Sequence, residues 1–76
     1  MWQLYEVTSP SGSISTVKAS SPIGAVAGFS NAPRHNWTKT DNGLEVTARR
    51  GDGTEIAKFN VKQSCFENLP PRYPLV

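Results

Sequence analysis

The chain has 76 residues, eight basic and six acidic side chains, a formal net charge of +2, one cysteine and one histidine. That length holds one domain, which buries only about 60% of its unfolded surface, and Cys65 alone allows no internal disulfide. A single Cys and a single His also exclude a Cys/His zinc cluster, so no cofactor or metal is expected and packing must hold the core.

The first segment, Met1-Trp2-Gln3-Leu4-Tyr5-Glu6, carries a charge at position 6 and no long apolar run. Neither a signal peptide nor a membrane span is expected there, and with no disulfide framework the natural compartment is the cytoplasm. Leu4 to Val7 and Ile14 to Ala19 read as two strands joined by Thr8-Ser9-Pro10-Ser11-Gly12-Ser13, which is turn chemistry. Tyr5 and Val7 should share one face of their strand, and Val17 and Ala19 one face of theirs.

Ser21-Pro22 opens the one expected helix. Serine accepts from free backbone N–H groups at the N-cap, and proline suits the first helical position. Ile23, Val26, Ala27 and Ser30 fall at helical spacing and form the expected buried stripe. Gly24 and Gly28 each weaken such a helix by roughly 1 kcal/mol relative to alanine, so it must dock on a sheet to persist. Asn31 and Pro33 end it.

Strand patterning returns with Trp37 to Thr40, Leu44 to Arg49 and Glu55 to Val61. Asp41-Asn42-Gly43 and Gly51-Asp52-Gly53 between them are hairpin turns, because these residues reach positive φ at low cost. Leu44, Val46 and Ala48 alternate with Glu45, Thr47 and Arg49; Ala57, Phe59 and Val61 alternate with Lys58, Asn60 and Lys62. Trp37 is expected in the core. The expected architecture is α+β: one antiparallel-rich sheet in the order β-β-α-β-β-β, with one short helix on its apolar face. It should span residues 1–67, followed by an extended proline-rich tail, 68–76.

Nucleophilic catalysis needs a base beside a nucleophile, and Cys65 and His35 lie on separate segments. Asp52 and Glu55 flank a turn as solvated charges. The chain therefore reads as a non-enzyme. Arg50-Gly51-Asp52 spells an adhesion tripeptide at a hairpin tip and Pro70-Pro71-Arg72-Tyr73 a ligand for WW domains, yet each also has a plain structural explanation, and the Asn36-Trp37-Thr38 glycosylation sequon has meaning only in a secreted chain. More informative is the polar sheet face, where Lys18, Arg49, Lys58 and Lys62 should point outward with Arg50 at the adjoining turn. That set is the expected partner-binding site, for an acidic protein surface or for phosphates.

The run from Tyr5-Glu6-Val7 through Val17-Lys18-Ala19-Ser20-Ser21 into the Ala25-containing helix, then Asp41-Asn42-Gly43 and Arg50-Gly51-Asp52-Gly53, resembles small phage-encoded anti-CRISPR inhibitors of type I-F. The likeness is one of element order. It implies a protein that binds a host ribonucleoprotein, the crRNA-guided surveillance complex, and competes with its target DNA in the host cytoplasm. Such inhibitors are often acidic DNA mimics, whereas this chain is basic, so plugging a groove by mixed-charge contacts fits better. The opening hairpin and helix also resemble the β-grasp fold, without the C-terminal diglycine of conjugated modifiers. The alternative function is a small basic nucleic-acid-binding domain.

Overall fold

The computed structural model describes residues 3–41 and 43–63; the expected tail, Cys65 and the Pro70–Tyr73 motif lie outside them. Five strands and one helix follow the expected order: β1 Gln3–Thr8, β2 Ile14–Ala19, α1 Pro22–Ser30, β3 Arg34–Thr40, β4 Gly43–Arg49 and β5 Glu55–Gln63. They form a single α+β unit in which one sheet has the spatial order β2-β1-β5-β4-β3 and every neighbouring pair is antiparallel. The first and last strands of the described chain thus lie side by side at the centre of the sheet, while β2 and β3 are its edges.

Local chemistry accounts for the connections. Gly12 donates to the Ser9 carbonyl at 2.9 Å, and Gly53 to the Arg50 carbonyl at 2.9 Å. Both glycines sit at φ +93°, where an L side chain is strained. Two of the hairpins, β1–β2 and β4–β5, are therefore turned by the same device. Ser21 caps α1 by accepting from the Gly24 N–H at 3.0 Å, Pro22 occupies the first turn, and Asn31 ends the helix at φ 52° in the left-handed region.

The helix runs between the two sheet edges and packs across all five strands on one face. Beneath it lie Tyr5, Val7, Val17, Ala19, Val46, Ala48, Phe59 and Val61, with Ala25 and Val26 fully buried from the helix side. This corrects the expected stripe. Ala25 and Val26 form its centre, and Ile23, Ala27 and Ser30 are only half-buried. A nine-residue helix set across five strands presses its middle turn into the sheet rather than a full-length row.

Trp37 is also corrected: it is 50% exposed. It belongs to β3, which begins at Arg34 instead of Trp37 and is an edge strand, so only one flank of its indole meets a neighbour. Among the described residues, no helix is long and apolar enough to cross a membrane.

Candidate binding face

Alternation places Arg34, Asn36, Thr38, Glu45, Thr47, Arg49, Lys58, Asn60, Lys62, Glu6 and Thr8 on the sheet face away from α1. The registers that align them are Arg34 with Arg49, Asn36 with Thr47, Thr47 with Lys58, Glu45 with Asn60, Thr8 with Asn60, and Glu6 with Lys62. Lys58, Asn60 and Lys62 are exposed, Glu45 and Arg49 half-buried, and Thr47 buried between its neighbours.

Of the five expected partner-binding residues, Arg49, Lys58 and Lys62 come together on this face. Lys18 shares the face but stands on the far edge strand, opposite Leu4, with β1 between it and Lys62. Leu4 is buried there, although it alternates away from the helix-side core. Arg50 lies in the β4–β5 turn, exposed.

The cations do not form a uniform basic patch. Lys58 Nζ lies 3.8 Å from Glu45 Oε1 and 3.9 Å from Glu55 Oε2, and Glu6 stands across from Lys62. Exposed pairs of this kind contribute little to stability, about 0–1 kcal/mol, but they set the charge pattern a partner meets. Arg49 is held from both sides: its Nε donates to Asn36 Oδ1 at 3.1 Å and its Nη1 to the Gly53 carbonyl at 3.1 Å. A register shift between Ala48 and Arg49 leaves Ile56 out of the pairing and 46% exposed beside this corner.

A polar groove of about 470 Å³ opens on the face between Thr8, Thr40, Asn60 and Lys62. Nearby, Gly43 opens β4: a side chain there would meet the Val61 carbonyl at 2.7 Å and Lys62 Cγ at 3.1 Å, so only glycine fits against β5 at this point. Sequence reasoning used Gly43 as a turn residue and missed this second role.

Two further residues escaped it. Arg34 faces Arg49 across β3–β4, a like-charge pairing that the segment Arg34-His35-Asn36 conceals because it lacks apolar alternation. His35 Nε2 meets Ser30 Oγ at 2.7 Å, and the Ala32 N–H donates to the same hydroxyl at 3.4 Å. This contact ties the end of α1 to the start of β3, closing the connection that carries the chain from helix to sheet edge.

At the β4–β5 tip, Asp52 Oδ1 accepts the Thr54 N–H at 2.8 Å. The adhesion-like tripeptide thus spends part of its carboxylate on its own turn. That backbone bond holds the Asp52 carboxyl below the ordinary aspartate range. With the folded value depressed, its contribution to stability is present above the unfolded value and is lost as pH falls through the folded one. An NMR titration should show Asp52 titrating below a solvated aspartate, and Asp52→Asn should flatten the acid limb of a stability-versus-pH curve. A normal Asp52 titration would show that the turn bond is not kept in solution.

Among the described residues, aromatic side chains stay away from the binding face. Tyr5, Trp37 and Phe59 alternate to the helix side, and Phe29 rises from α1 with its ring centroid 6.3 Å from that of Phe59. Among the described residues no group of three or more His, Cys, Asp or Glu is placed to hold a metal ion. No family model, no curated protein and no solved structure matches the chain.

Proposed function

We propose that the chain is a non-catalytic binding protein that seats the face opposite its helix on a mixed-charge protein surface of a larger complex and modulates that complex. The observation that carries this reading is the polar groove lined by Thr8, Thr40, Asn60 and Lys62, set in a face where cations alternate with Glu6, Glu45 and Glu55. Interleaved charges match a protein surface of complementary pattern and suppress wrong partners by like-charge contact. A phosphate backbone, uniformly negative, would be repelled by the same three carboxylates. In this reading the chain acts as a small accessory inhibitor of phage or mobile-element type, the role its resemblance to anti-CRISPR proteins implies. A host ribonucleoprotein such as a CRISPR surveillance complex would then be its target.

One observation favours the second reading, a basic nucleic-acid-binding domain. Arg34 and Arg49 face each other at the β3–β4 corner, with Arg50 just beyond. Against it stands the lack, among the described residues, of an aromatic platform on that face for stacking bases.

A tagged chain and its Lys62→Glu variant, used as bait in bacterial lysate with and without nuclease at two salt concentrations, separate the readings. A discrete protein complex that survives nuclease and raised salt, and that Lys62→Glu loses, is the expected result. Recovery of nucleic acid alone, released steeply by salt, would overturn it in favour of the second reading.

A further inference from the structure

The free edge of β3 is the most exposed strand of the sheet: six of its seven residues are exposed and His35 is half-buried. It pairs with β4 on one side and, among the described residues, with nothing on the other. An antiparallel edge of this kind presents alternate backbone N–H and C=O groups outward, a template for another strand. At its centre stands Trp37, half-exposed. Trp37, Val46 and Phe59 form one cross-strand row, and Phe29, 45% exposed, leans on Phe59 at its inner end. The edge is thus bordered on the helix side by an apolar aromatic shelf.

Charge decides what can lie there. Arg34 and Lys39 lie on either side of Trp37 along the strand, Lys39 on its face and Arg34 on the opposite one, and β3 carries no acidic side chain. Behind Arg34 stands Arg49, bound to Asn36 and the Gly53 carbonyl and, among the described residues, to no carboxylate. The nearest acid across the strand pair, Glu45 opposite Thr38, is engaged by Lys58, and Asp41 lies beyond the strand at the hairpin tip. A second copy of the chain is therefore a poor occupant. Antiparallel pairing about Trp37 would set His35 against Lys39 of that copy twice over and bring both sets of cations to one seam. The cations that block self-pairing attract the opposite charge.

We propose that the β3 edge is a strand-addition site for an extended acidic segment of another protein, anchored by an apolar side chain on Trp37. Main-chain hydrogen bonds to the edge would supply affinity, Arg34 and Lys39 would select acidic residues, and Trp37 would fix the register. The groove beside Lys62 meets this strand only at Thr40, so the chain would hold two contacts that adjoin at the end of β3.

The probe is a fluorescently labelled Glu/Val peptide of the length of β3, with a central Val to meet Trp37 and Glu at the positions opposite Arg34 and Lys39. It is compared with a Lys-Val counterpart, with a Glu-Val peptide N-methylated at alternate residues, and with a single-stranded oligothymidine. Fluorescence anisotropy measures binding, and amide NMR shifts locate it. The expected result is binding of the Glu-Val peptide with shifts concentrated in β3, and a loss of about tenfold or more for Trp37→Thr. The Lys-Val and N-methylated peptides should bind far more weakly. Because N-methylation alters only the peptide, it tests backbone pairing with the protein's fold untouched. Shifts confined to Lys58, Asn60 and Lys62 would overturn the edge site while leaving the groove reading intact. No binding, undiminished binding of the N-methylated peptide, oligothymidine shifting the same β3 amides, or concentration-dependent self-association through β3 would each overturn it too.

Discussion

Phe59→Ala is expected to remove about half of the domain's stability. A chain of 76 residues carries on the order of 4–11 kcal/mol in all, at about 0.05–0.15 kcal/mol per residue. Burying a phenylalanine and then truncating it costs about 3–5 kcal/mol, through lost transfer energy and the cavity left behind. The core around Phe59 has little means of closing that cavity. Its fully buried side chains of largest volume are valines, Val17, Val26, Val46 and Val61, and Ala19, Ala25, Ala32 and Ala48 fill most of the rest beside Tyr5 and Val7. Such short branched side chains on a hydrogen-bonded sheet cannot reach across an empty ring site. Phe59 also links two elements, since it pairs with Val46 on β4 and its ring lies tilted against that of Phe29 of α1. Urea denaturation followed by far-UV circular dichroism should show a large drop in midpoint, with Phe59→Leu recovering most of it. Phe29→Ala, at a half-exposed ring, should cost far less. A Phe59→Ala shift below about 1 kcal/mol would mean that the core does not rest on this ring.

Gly43→Ala should be the most damaging of the turn substitutions, for a reason that lies outside the turn. Gly43 sits at φ +133°, and a Cβ there would stand 2.7 Å from the Val61 carbonyl oxygen. That oxygen belongs to the backbone of β5, between β1 and β4, and cannot step aside without opening the ladder. Forced backbone strain of this kind costs about 1–3 kcal/mol, and the clash adds to it. Gly12 is the control: its φ is +93°, yet nothing lies within 4 Å of its Cβ position. Gly12→Ala should then cost only the conformational penalty, about 1 kcal/mol. A clear gap between the two variants in urea midpoint is the expected result. Equal costs would show that Gly43 matters as a turn residue alone.

The two surfaces inferred above place different demands on the fold. The groove depends on a central strand, so substitutions that weaken it also threaten the sheet. The β3 edge depends on a strand with one neighbour, where Trp37 and the flanking cations can change with little effect on the core. A partner contact on β3 is for that reason the easier of the two to alter without unfolding the domain.

Much of the fold was legible in the residues themselves. Ser21-Pro22 and Asn31 bounded the helix because capping is a matter of a few neighbouring backbone groups. The alternation in β1, β2, β4 and β5 marked the apolar face because side chains on a strand change sides at every residue. Lys18, Arg49, Lys58 and Lys62 were assigned outward by the same rule, and the registers place them so. What the residues could not reveal is which strands are neighbours. The antiparallel pairing of β1 with β5 brings Glu6 beside Lys62, and that of β3 with β4 brings Arg34 beside Arg49. Contacts between segments far apart in the chain leave no trace in local periodicity. Edge position is likewise a property of the whole sheet, so Trp37 reads as a core aromatic until β3 is seen to have one neighbour. The sequence by itself determined the elements, their order and the faces of the strands, through capping, turn chemistry and alternation. Tertiary structure alone decided the strand order, the mixed charge of the binding face, the cradle at Gly43 and the open edge at β3, because each arises from packing residues that the chain keeps far apart.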